Sequence, residues 1–234
     1  TAPTGAGHLY KVDMRLRPTG SVGPLASSSE AFHKYYIADA WTWEHMALTR
    51  ARVVCTAPAL ANKIEDTIRT ALTAQRDAGK LLRDVSNMRI RIERERPTQG
   101  AWDVKNRRGG LIDIEFIAQY LQLRHACENS TVLSTNTTNA LNNLSRAGYL
   151  SLSHAGRLIA AMTFWRNLQG AMRLSVGDEL NEKTITEASR EMLANSCAIE
   201  DFITLKQKLV DSAADVYAIF RELIEEPAAN LMSN

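Results

Sequence analysis

The sequence predicts a mainly α chain: a helical bundle over residues 29–234, preceded by a short strand-containing fragment over residues 1–28. Three observations carry this. One run, residues 10–18 (YKVDMRLRP), alternates apolar and polar side chains with period two; from Ser29 onward the long stretches repeat their apolar residues at helical spacing; and no second run alternates convincingly. A single amphipathic strand cannot bury its apolar face without a sheet, so this run is expected to belong to the last strands of a sheet whose earlier strands lie upstream of Thr1.

In the alternating run Tyr10, Val12, Met14 and Leu16 share one face, while Lys11, Asp13, Arg15 and Arg17 share the other. Pro18 ends the ladder because it has no N–H to donate, and Gly20 and Gly23 supply the backbone of a turn or a close approach. Ser29 then caps a helix carrying Phe32, Tyr35 and Tyr36, and Trp43, Ala47 and Arg50 or Ala51 mark a second helical face. Pro58 suits the first turn of a helix running to about Gln75, and Gly79 separates that helix from the next. There Leu82, Val85, Met88 and Ile92 form an apolar stripe, and Arg89, Arg91, Arg94 and Arg96, alternating with Glu93 and Glu95, read as a solvated face. The stretch 97–110 (PTQGAWDVKNRRGG) is the clearest loop. It empties into a helix whose face is marked by Ile112, Phe116, Gln119 or Tyr120, and Leu123. Two further long helices follow: residues 154–176, with Leu158, Met162, Trp165, Leu168 and Met172 on one side, and residues 200–226, with Phe202, Leu209, Val216 and Leu223 seven apart. Sevens of this length fit a bundle as well as a coiled coil, and the bundle is the expectation.

The 234 residues are 45% hydrophobic and 23% charged, a globular balance. Twenty-eight basic against 26 acidic residues leave a formal charge of +2, which gives the whole chain no strong electrostatic claim on nucleic acid or an anionic membrane. Any anion site is local. Cys55, Cys127 and Cys197 stand outside any zinc-ligand spacing, no apolar run approaches the ~18 residues of a membrane span, and no signal-peptide pattern opens the sequence, so a cytoplasmic protein is expected.

For the charged face of residues 11–17 two readings are open. In one the charges solvate an edge strand. In the other Asp13 holds a divalent cation while Lys11, Arg15 and Arg17 neutralise phosphate oxygens. Asp113 and Glu115 are two apart, which on a helix separates them by about 200°, so they are not a metal pair. They either favour the positive end of the helix dipole, or Asp113 joins Asp103 and Lys105 in a polar surface at the loop. His8, His33, His45, His125 and His154 show no ligand spacing, and Trp41 and Trp43 read as packing anchors rather than nucleobase stackers.

Three stretches, YKVDMRLRPTGSVGPLASSSEAFHKYY, AWTWEHMALTRARVV and DVKNRRGGLIDIEFIAQYLQLRH, resemble in order and spacing the bifunctional glutamine synthetase adenylyltransferases of bacterial nitrogen control. The resemblance covers about residues 9–125. It implies two homologous halves, each a nucleotidyltransferase domain with a helical domain, one attaching AMP to a tyrosine of glutamine synthetase and the other removing it by phosphorolysis. The AWTWEH stretch is closer to the attaching, C-terminal half. By resemblance residues 1–28 are the end of a nucleotidyltransferase palm and Asp13 is the third of its metal-binding carboxylates, the other two having no counterpart in this sequence. The implied chemistry is attack of a tyrosyl oxygen on the α-phosphorus of ATP with Mg²⁺ bound by Asp13, and with Lys11, Arg15 and Arg17 offsetting the triphosphate charge. The implied partners are glutamine synthetase and the PII signal protein. A PII uridylyltransferase, which shares a helical segment of the GGLIDIEF type, and a non-catalytic module binding glutamine synthetase or PII are the alternatives.

Overall fold

The computed structural model describes residues 5, 13, 14, 16–175 and 180–232, and these form a helical bundle. Four of the nine residues of the alternating run, Tyr10, Lys11, Val12 and Arg15, lie outside the described residues. Asp13 and Met14 have no regular secondary structure, Leu16 to Thr19 form a turn, and Gly20–Val22 is one turn of 3₁₀ helix. The expected strand is thus not seen among the described residues, consistent with the instability of a strand without a pairing partner.

Ser28, one residue before the expected cap, accepts a hydrogen bond from the Ala31 N–H and starts α1 (Ser29–Lys34). A π-turn (Tyr35–Asp39), closed by the Ala40 N–H on the Tyr35 carbonyl at 2.9 Å, leads to α2 (Thr42–Leu48). Pro58 opens α3 (Pro58–Thr73) as its fixed φ predicts. The next helix, α4 (Ala78–Glu95), starts on Asp77, whose carboxylate accepts from the Lys80 N–H; Gly79 is therefore inside the first turn and not a separator, because a capping Asp is the stronger start signal. The loop to Gly110 and the start of α5 (Leu111–His125) fall where expected.

Two short helices were not legible in the sequence: α6 (Thr137–Arg146), capped by Asn136, and α8 (Glu187–Ser196), capped by Thr186. The long ones were, as α7 (Leu152–Ser175) and α9 (Phe202–Phe220). A second π-turn (Arg221–Glu225) carries α9 into α10 (Glu226–Met232), immediately before Pro227, which has no N–H to give to a regular helical ladder.

α5 is the axis of the bundle, touching α2, α4, α6, α7 and α9. A helix so enclosed needs apolar residues all round. Accordingly Leu111, Ile114, Ile117, Ala118, Leu121 and Leu123 are all buried, whereas Ile112 and Phe116, which marked the expected single face, are only half-buried. On α7 the whole expected stripe from Leu158 to Met172 is buried, and on α9 Leu209 and Val216 are, with Phe202 at its start and Leu223 in the second π-turn at the margin. Among the described residues no helix is long and apolar enough to cross a membrane.

Candidate functional site

The charged run and the turn after it come first. Asp13 is exposed, and Lys11 and Arg15 lie outside the described residues. Arg17 is turned inward on the chain itself: Nε and Nη2 each donate to the Gly23 carbonyl at 3.2 Å, and Nη1 donates to the Met14 carbonyl at 2.7 Å. It pins the turn that follows Asp13. That turn demands glycine at its end, since a Cβ on Gly23 would lie 2.0 Å from Thr19 Oγ1 and 2.4 Å from the Pro18 carbonyl oxygen.

The loop 97–110 is held by charge on every side. Asp103 accepts from the backbone N–H groups of Gln99, Lys105 and Asn106, and from the Asn106 amide. Burial opposes its ionisation, but these donors outweigh burial and hold its carboxyl below the usual range. Arg89, expected on a solvated face, is fully buried. Its Nε bonds Asp113, and its Nη2 donates to the carbonyls of Asn106 (2.9 Å) and Arg107 (3.2 Å). Asp113 is fully buried too and accepts from the Gly109 N–H at 2.6 Å; burial pushes its carboxyl up, and Arg89, the Gly109 N–H and Arg108 pull against that. Gly109 lies at φ +76°, with its Cα so close to α9 that a Cβ would sit 1.8 Å from the Ala213 carbonyl oxygen.

Arg108 continues the clamp. It bonds Glu93 of α4 (2.6 Å) and Glu225 of the second π-turn (2.6 Å), with its guanidinium 5.5 Å from the Tyr217 ring centre. Asp103, Lys105 and Asp113 therefore do not form one polar surface: Asp103 organises the loop, Lys105 is exposed, and Asp113 is interior. The buried pair had a sequence signal, because Arg89 falls in line between Val85 and Ile92 on the apolar stripe of α4.

Elsewhere, a cleft of about 610 Å³ lies between the head of α2, the end of α3 and the start of α4. The AWTWEH stretch forms its rim. Glu44 is buried; it accepts from the Tyr35 hydroxyl at 2.6 Å and from the Trp41 N–H at 2.9 Å, joining the π-turn to the first turn of α2. His45 donates from Nε2 to the Tyr36 carbonyl at 2.9 Å, and burial pushes its imidazole below the ordinary value. Burial also raises the Tyr36 phenol to about 12. Thr42 and Lys80 both donate to Asp84, at 2.5 and 2.7 Å; burial works against the Asp84 charge, but these bonds hold its carboxyl below the usual range. Trp41 is 72% exposed and Trp43 39%, so neither is the packing anchor expected of it; Trp102 and Trp165 fill that role.

Among the described residues no three His, Cys, Asp or Glu side chains gather to hold a metal ion. Asp13 alone does not complete a divalent-cation site.

Residues 1–67 match the family model for glutamate-ammonia ligase adenylyltransferase, and residues 60–224 match that for GlnD PII-uridylyltransferase. A bifunctional glutamine synthetase adenylyltransferase/adenylyl-removing enzyme of Rhodopseudomonas palustris is 43% identical over 224 residues, 96% of this chain and 23% of the relative. Its counterparts in Bradyrhizobium diazoefficiens and Xanthobacter autotrophicus are 41% and 39% identical, again with 23% of the relative covered. The chain spans about a quarter of the length of these relatives.

Proposed function

We propose, for a chain that belongs to the bifunctional glutamine synthetase adenylyltransferase/adenylyl-removing enzyme family and whose helical part is described by the GlnD PII-uridylyltransferase model, that it is a partial domain of the adenylylating half. The observation that carries this is identity of 43% along nearly the whole chain with enzymes about four times as long. On this reading residues 1–28 close a nucleotidyltransferase palm and residues 29–234 are its helical domain. The complete enzyme attaches AMP from ATP to a tyrosine of glutamine synthetase: the tyrosyl oxygen bonds to the α-phosphorus and pyrophosphate leaves. Glutamine synthetase and PII are its partners and the cytoplasm its compartment.

Within that enzyme Asp13 is assigned to a Mg²⁺ ion, and Lys11 and Arg15 to the triphosphate. The described residues do not by themselves fit a complete metal site, so the remaining ligands must come from elsewhere in the enzyme, and no step is routed through the ion. Arg17 receives a different part from the one its charge suggests, because its guanidinium is committed to the Met14 and Gly23 carbonyls. It is a positioning residue for the turn behind Asp13. The match of residues 60–224 favours one second reading, a uridylyltransferase acting on PII. Against it, the AWTWEH stretch lies within the 1–67 match.

In a full-length enzyme carrying this chain, Asp13→Asn is expected to abolish AMP transfer to glutamine synthetase while circular dichroism stays unchanged, because the shape is kept and the charge removed. Transfer at the parent rate would overturn the assignment of Asp13, and transfer of UMP to PII in place of AMP to glutamine synthetase would establish the second reading.

A further inference from the structure

The cleft at the head of α2 has features to which the proposed AMP transfer assigns no role. Two indoles, 72% and 39% exposed, line the cleft together with Leu81 and Met88. Leaving so much aromatic surface wet is unfavourable, and such patches mark sites that another molecule covers.

The charges around the indoles differ in availability. Lys80 is bonded to Asp84, Arg91 to Glu95, and Arg76 donates to the Ala71, Leu72 and Ala74 carbonyls at the end of α3, so each cation at the cleft already has an acceptor. Among the carboxylates, Asp84 is held by Thr42 and Lys80, and Asp77 caps α4. Asp39, two residues before Trp41, has neither a hydrogen-bond nor an ion-pair partner among the described residues. What is left uncommitted is one anion beside two π-faces. That combination complements a cation, and a planar one best, because a guanidinium stacks flat on an indole while its edge N–H groups reach a carboxylate.

The geometry points to a docking site for a protein segment that presents an arginine side chain, its guanidinium against Trp41 and Trp43 and its charge answered by Asp39. The site stands independently of whether the chain takes part in AMP transfer.

The test is a titration of the ¹⁵N-labelled 234-residue chain with acetyl-leucyl-arginine amide, with the isosteric citrulline peptide and with the glutamate peptide. The arginine peptide is expected to shift the indole N–H resonances of Trp41 and Trp43 and to leave those of the buried Trp102 and Trp165 in place. Asp39→Asn and Trp41→Ala are each expected to weaken it by about two- to fivefold, the scale of one exposed charge-assisted or cation–π contact. Trp41→Ala keeps the backbone N–H that Glu44 accepts, so the helix start survives it. Equal binding of the citrulline peptide, unchanged affinity in Asp39→Asn, preference for the glutamate peptide, or no shift at about 10 mM peptide would each overturn the proposal.

Discussion

At the scale of single residues the interior charge pair decides most. Arg89 and Asp113 are both fully buried, and together with the Gly109 N–H they join α4, the loop and α5 at one point. Removing one partner leaves a charge in a place water cannot reach, which costs about 3–5 kcal/mol. Arg89→Met or Asp113→Leu alone is therefore expected to destabilise the bundle by that amount in urea denaturation. The double variant removes both charges, and its cost is expected to fall short of the sum of the singles by at least ~2 kcal/mol. It stays above zero because the Asn106 and Arg107 carbonyls lose their donor. Strict additivity would show that the two groups act through separate contacts. Of these residues the sequence exposed the location and not the role: a charge on an apolar stripe is visible, its partner 24 positions away is not.

At the scale of elements, the long helices were legible because their periodicity persists and their caps are strong. Pro58 at the start of α3 and the stripe on α7 are examples, whereas the Asp77 cap of α4 was passed over for Gly79. The short helices α6 and α8 were not, since ten residues hold too few turns for a pattern to rise above its surroundings. The exposure of Trp41 was hidden for a related reason. It precedes α2, so helical spacing says nothing about where it points. The end of α8 carries a testable strain. Ile199 N–H bonds the Ala194 carbonyl and Ala198 N–H the Asn195 carbonyl, both at 3.0 Å, a C-terminal motif that puts Ala198 at φ +55° where glycine is preferred. Ala198→Gly removes about 1–2 kcal/mol of left-handed strain and returns about 0.4–1 kcal/mol through the unfolded chain. The net gain of about 1 kcal/mol is expected to raise Tm by about 2–4 °C. A Tm that falls would mean the motif holds α8 in some other way.

At the scale of the whole molecule, the bundle is built around α5, and the loop 97–110 is clamped to the bundle by Arg89 and Arg108. The region assigned to chemistry lies at the other extreme of the chain's organisation: Asp13 is exposed, followed by a turn that Arg17 fastens to its own backbone. Among the described residues no three candidate ligands gather to hold a metal ion, in keeping with the proposal that this chain completes a site whose other ligands lie elsewhere in the enzyme. Losing one preorganised electrostatic contact costs about 10²–10³ in rate, so a chain lacking several ligands should fall at least about 10⁴ below a complete enzyme. The most direct measurement replaces the matching quarter of the Rhodopseudomonas palustris enzyme with this chain and follows label from ATP, marked at the α-phosphate, onto glutamine synthetase, beside the 234-residue chain alone. The account predicts that the folded chimera attaches AMP and that the chain alone does not; a folded chimera unable to attach AMP, or a lone chain within about 10² of the chimera's rate, would contradict it.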